Sequence, residues 1–135
     1  MRGVASDVSP SSGFRFVCYC KDCQAFARFL ERPDVLDPAG GTDIFQMPPG
    51  RVKLTAGADA LRCLRLSDKG VLRWYSDCCR TPIGNTAPSP RFPVIALIHS
   101  FIRKRVARVG AQAAAEEAGR RGAAMAAFAK SWRRE

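Results

Sequence analysis

Cys18-Tyr19-Cys20-Lys21-Asp22-Cys23 places three thiols within six residues, in a C-x-C-x-x-C pattern. Thiolates are soft donors, and a tight turn across C-x-x-C aims two sulfurs at one ion while the preceding C-x-C brings a third from a strand end. That geometry suits tetrahedral zinc with Zn–S bonds of about 2.3 Å. Free structural thiols are the bland alternative, but the polar Lys21 and Asp22 interrupt any apolar stripe. Three ligands leave the fourth position undecided. A protein sulfur there would make the site structural, and a water or substrate would make it catalytic.

Outward from the cluster, Phe14, Phe16 and Cys18 alternate with Arg15, Val17 and Tyr19, which predicts a strand ending in the knuckle. Phe26, Phe29 and Leu30 predict a short helix over Gln24–Leu30, stopped by Pro33. Asp37 to Gly41 reads as a loop, with strands at Thr42–Met47 and Arg51–Leu54. Leu61–Leu66 and Val71–Tyr75 flank Ser67-Asp68-Lys69-Gly70, a hairpin connection in which Gly70 can take positive φ. Ser76–Thr86 reads as a loop, and the apolar run within Phe92–Ser100 as a buried final strand. The class is mainly β.

Residues 1–13 are polar and turn-rich, and are expected to be flexible: frayed, or at most a short edge element. Residues 14–100 form the zinc-binding domain. Residues 101–135 change to Ala, Arg, Gly and Glu, with Ile102, Val106, Val109 and Ala113 on one helical stripe and Met125, Phe128 and Trp132 on a second. This part is expected to be a basic helical tail.

The chain has 135 residues, enough for one core. Its 22 Lys plus Arg against 12 Asp plus Glu give a formal charge of +10, and basic residues are enriched after Arg91. Such a surface attracts anions: small anionic thiols, nucleic acid or acidic membrane. There is no signal-peptide pattern and no apolar run near 18 residues, so the expectation is a soluble, cytoplasmic protein without membrane association. A reducing compartment favours metal ligands and free thiols over disulfides for the six cysteines.

Further candidates lie later in the chain. Cys78 and Cys79 follow the hairpin, and adjacent side chains diverge. One of them, with Cys79 favoured, is expected to face a metal, and the alternative that neither does stays open. Cys63 is expected to be a packed strand thiol. His99 is the single histidine. That excludes a finger with two histidine ligands and most histidine-centred catalysis, and a structural, hydrogen-bonded role is expected for it. Arg73-Trp74-Tyr75 leads into the cysteine loop. Either Arg73 and Trp74 line a pocket beside the metal, or Trp74 is core and Arg73 solvated.

Taken together, Cys18 to Phe26, Gly40-Gly41-Thr42-Asp43-Ile44-Phe45, Lys69-Gly70 to Trp74-Tyr75, and Cys79-Arg80-Thr81-Pro82-Ile83-Gly84-Asn85-Thr86 resemble the glutathione-dependent formaldehyde-activating enzyme family, which includes centromere protein V. The resemblance covers about residues 14 to 100 and is closest to a bacterial branch with paired cysteines before Thr-Pro-Ile-Gly-Asn-Thr. It implies a β-tent of small antiparallel sheets meeting at zinc, with the ion held by Cys18, Cys20 and Cys23 facing glutathione, and often a second, structural zinc. This chain departs from the pattern that closes the second site. It has no cysteine before Cys18, and Ser76 stands where the first cysteine of the late C-x-x-C aligns. One explanation expects a longer reading frame, with the missing strand before Met1.

The implied activity is a carbon–sulfur lyase acting on glutathione–aldehyde adducts. A three-thiolate shell blunts the acidity of zinc, and Arg28, Arg73 and Arg80 are the nearby cations by sequence position, with Trp74 beside them as a substrate-binding candidate. No catalytic side chain is singled out. The alternatives are a non-catalytic zinc module for a protein partner, or a nucleic-acid binder acting through the tail.

Overall fold

The computed structural model describes residues 1–102. The described chain runs β1 (Arg2–Ala5), β2 (Phe14–Cys18), α1 (Lys21–Phe29), β3 (Thr42–Met47), β4 (Val52–Ala56), β5 (Leu61–Leu64), β6 (Leu72–Ser76), β7 (Thr81–Thr86) and β8 (Ile95–Ile98). An antiparallel six-stranded sheet has the order β2-β3-β8-β7-β6-β5, and β1 pairs with β4 in a separate two-stranded sheet. The order does not close into a barrel. The architecture is mainly β, as the alternating patterns predict, and it is built of small antiparallel sheets, as the resemblance implies. The expected tail, residues 101–135, lies outside the described residues apart from its first two positions.

The pleat sorts the side chains into two cores, because neighbours along a strand face opposite ways. From β3, Phe45 and Met47 join Val52, Ile83, Ile95 and Leu97 on one face. Ile44 turns the other way and meets Ile98 and Cys23. Helix α1 covers that second face, burying Cys23, Phe26 and Ala27. The candidate ligand Cys23 is therefore part of a packed core.

The structure sharpens or corrects several expectations. Within residues 1–13, read as frayed or at most a short edge element, Arg2–Ala5 forms such an edge strand, with Gly3, Val4 and Ala5 opposite Leu54, Lys53 and Val52. Met1, Ala5 and Val8 pack against the larger core, which anchors the segment. The helix expected from Gln24 starts at Lys21, because the Cys20 side chain caps it by accepting the Cys23 amide.

Ser76–Thr86, read as a loop, contains β7. The misleading signals were Pro82 and Gly84. Pro82 lies opposite Tyr75, where the β6–β7 register slips, so its missing N–H falls at an irregularity in the ladder. Gly84 is there because a Cβ would stand 2.8 Å from the Ala96 carbonyl oxygen. The hairpin at Ser67–Gly70 forms, with the Gly70 amide donating to the Ser67 carbonyl at 3.0 Å. Gly70, however, is not among the glycines at positive φ. Cys63, expected to be packed, is exposed on β5, the outermost strand.

Candidate metal centre

Two elements, β2 and α1, and the turn between them converge on the knuckle. Cys18 ends β2, Cys20 caps α1 and Cys23 lies in the first turn of α1. The three sulfurs lie within 4.8 Å of one another, and this is the one such group of possible metal donors among the described residues. The Cys18 and Cys23 sulfurs are 3.7 Å apart. Tetrahedral zinc with bonds of about 2.3 Å separates its ligands by about 3.8 Å, so this pair already spans one edge of the tetrahedron. The donor set and its spacing fit zinc. Burial grades from Cys23 through half-buried Cys18 to exposed Cys20, so the open side of the cluster faces solvent.

Electrostatics favour thiolates unequally. The Cys23 amide points at the Cys20 sulfur at 3.4 Å, at the positive end of the helix. Partial burial pushes the Cys20 thiol up, but the Cys23 amide and the flanking thiols outweigh it, and the net shift is downward. Burial drives the Cys23 thiol up to about 12, with Arg73 pulling the other way. A bound divalent ion reverses that, because coordination deprotonates a thiol.

Arg73 is the cation that reaches the cluster. It is 4 % exposed, and its Nη1 lies 3.6 Å from the Cys23 sulfur and 3.5 Å from Asn85 Oδ1. Its Nη2 stands 4.0 Å from Asp22, and its guanidinium lies over the Phe26 ring. Beneath the knuckle, a cavity of about 10 Å³ is lined by Cys23, Phe26, Thr42, Arg73 and Pro82, among others. The Thr42 hydroxyl is buried without a hydrogen-bond partner among the described residues. Above it, Tyr19 donates to Asp37 Oδ2 at 3.0 Å, and Asp37 Oδ1 accepts from the Ala39 and Gly41 amides at 2.8 Å each. That loop braces the exposed wall.

The remaining candidates separate. Trp74 faces away from Arg73, packs against the larger core and donates Nε1–H to Thr86 at 2.9 Å. The sequence alternatives therefore resolve into a mixture, with Trp74 in the core and Arg73 buried beside the cluster. Arg28 is exposed and reaches Gln24 at 3.5 Å. Arg80 binds the Phe29 carbonyl, pairs with Glu31 at 3.9 Å and covers the Phe29 ring. It thereby closes the C-terminal end of α1, opposite the end that carries the cysteines. Cys78 and Cys79 stand outside the three-sulfur group and bond to Ser76, to each other and to Thr81. His99 is buried and likewise outside the group.

Asn85 and Thr42 were not singled out from sequence. The register that sets Thr42 opposite Cys18, and Arg73 opposite Asn85, is what reveals them.

Among the described residues, no helix is long and apolar enough to cross a membrane. Neither the curated proteins nor the solved structures return a match to the chain. The model of one family, described as "Family of unknown function (DUF6151)", matches residues 2–133, and the chain belongs to that family.

Proposed function

We propose that Cys18, Cys20 and Cys23 hold zinc with its fourth position open to an external small thiol, and that the site makes or breaks a carbon–sulfur bond in a thiol–aldehyde adduct, with glutathione as the thiol. The observation that carries this reading is the three-sulfur cluster with one exposed member and no fourth donor in the group among the described residues. Zinc there supplies Lewis acidity and favours the deprotonated form of a thiol.

The chain's own residues set the conditions. Three thiolates around a dication leave one negative charge, and the buried Arg73 guanidinium beside Cys23 offsets it. Without that cation the shell would repel an incoming thiolate. The Tyr19–Asp37 pair fixes the outer wall, and the formal charge of +10 draws anionic thiols toward the protein.

The test is zinc absorption-edge spectroscopy on protein never exposed to chelator, with and without glutathione, alongside an assay of adduct cleavage. Three sulfurs and one light atom are expected in the free protein, and four sulfurs after addition. Cleavage should be lost in Cys20→Ser. Four protein sulfurs at the outset, or equal turnover in metal-free protein, would overturn the proposal.

A further inference from the structure

Strand register separates the two ends of the six-stranded sheet. Ile44 of β3 lies opposite Ile98 of β8, so the knuckle end of β3 sits beside the end of β8. Leu72 lies opposite Thr86, and Thr86 opposite Ile95. The β5–β6 connection, residues 65–71, and the β7–β8 connection, residues 87–94, therefore leave the sheet together at the other end. Strands β5 to β8 are consecutive neighbours, and at about 4.8 Å per strand both loops fall within about 15 Å of sheet width.

Of the six large apolar side chains exposed among the described residues, Leu66, Val71 and Phe92 lie on these two loops. A lone exposed leucine needs no explanation, but three gathered at one end do. Phe92 is the most open of them, at 66 % exposure, and its loop is stiff. Pro88, Pro90 and Pro93 fix three φ angles. The Phe92 amide donates to the Ser89 carbonyl at 3.2 Å, the Val94 amide to the Phe92 carbonyl at 2.9 Å, and the Arg91 amide to Ser89 Oγ at 3.3 Å. Pro93 is buried, so the ring beside it is held out on an anchored turn. In the companion loop, the Gly70 amide closes the turn on Ser67, and Arg65 Nη1 donates to the Asp68 carbonyl at 2.8 Å. Arg65, Lys69 and Arg91 are exposed beside the apolar tips, and against the one acid, Asp68, they leave these loops a balance of +2.

We propose that these two loops dock the protein on an anionic membrane surface. Phe92, Leu66 and Val71 enter the boundary between headgroups and acyl chains, and Arg65, Lys69 and Arg91 meet the lipid phosphates and carboxylates. The long cationic side chains lay their stems along the apolar tips and keep their charges at the headgroups. Tips on separate loops, with cations between them, suit a deformable layer that closes around each one. A rigid protein partner would need a matched pocket for every tip. Docking of this kind needs no spanning helix, and it leaves no long apolar run in the sequence, because strand order rather than chain proximity gathers the tips. The knuckle, at the far end of the sheet, stays in water.

The test mixes the full chain with vesicles of phosphatidylcholine alone, or with about one lipid in three replaced by phosphatidylserine, and follows co-sedimentation. Binding is expected only to the anionic vesicles. The formal charge of +10 attracts the chain to them by itself, so the deciding variant keeps the charge. Phe92→Ser, at an exposed position, should leave the urea midpoint unchanged and weaken binding about ten-fold. Arg91→Gln and Lys69→Gln should each weaken it about five-fold. In Phe92→Trp, the added indole emission should shift to the blue on anionic vesicles as the tip leaves water. Equal binding by Phe92→Ser and wild type, no binding to either vesicle, an indole that stays in water, or self-association of the free chain that Phe92→Ser abolishes would each overturn the proposal. None of these readouts involves zinc, so the knuckle stands or falls separately.

Discussion

A guanidinium at 4 % exposure is expensive to bury unless an anion and hydrogen-bond acceptors meet it. Around Arg73 those partners are the Cys23 sulfur, Asn85 and, at the rim, Asp22. On the proposed reading, the arginine and the metal-bound cluster therefore stabilise each other. Arg73→Met, which keeps volume but removes charge, should weaken zinc affinity about 10- to 100-fold, as loss of a supporting contact around a metal typically does. Arg73→Lys should recover only part, because an ammonium lacks the planar fork that reaches Cys23 and Asn85 together. Competition titration with a chromogenic chelator measures both. From sequence, Arg73 was visible as a cation near the cysteine loop. Its neighbour Trp74 was grouped with it by proximity in the chain, which the pleat defeats by sending the two to opposite faces.

At the scale of elements, β7 is where local pattern and tertiary context disagree. Thr81-Pro82-Ile83-Gly84-Asn85-Thr86 carries two residues that ordinarily interrupt strands, yet it pairs with both β6 and β8. Each exception has a long-range cause, the register slip beside Pro82 and the close Ala96 backbone beside Gly84, so neither was legible locally. By contrast, β2, the short helix and β3 were legible, because they follow an uninterrupted period or end at the cysteines and prolines that bound them. Gly84→Ala places a Cβ against backbone that cannot yield cheaply. It should destabilise the protein by about 2 kcal/mol, read as a lower urea midpoint with unchanged slope. If the midpoint is unchanged, the β7–β8 approach is looser than described.

For the molecule as a whole, a metal held as proposed is also a clasp. It joins the end of β2 to the start of α1 while Cys23 sits in the smaller core, so binding and folding draw on the same contacts. At free zinc about 1,000 times Kd the bound form gains about 4 kcal/mol, and a chelator should lower Tm accordingly. Without metal, Cys23 keeps its proton at neutral pH, its thiol lying near 12. Binding must expel that proton, so affinity strengthens as pH rises, by about ten-fold per unit for each proton released. Zinc titrations at two pH values give the slope, and a flat profile would mean that Cys23 is not a ligand.

The sheet ends at β5 with its outer backbone uncovered by any further strand among the described residues. Exposed Cys63 and Leu66 lie along this rim, flanked by Arg62 and Arg65. Arg62 is paired with Asp77 at 3.6 Å, so Arg65 is the rim cation that a second copy of this edge would meet as a like charge before any ladder could extend across the two molecules. Resistance to edge-on aggregation at this end of the sheet thus rests largely on Arg65, and shielding it with salt lowers the barrier.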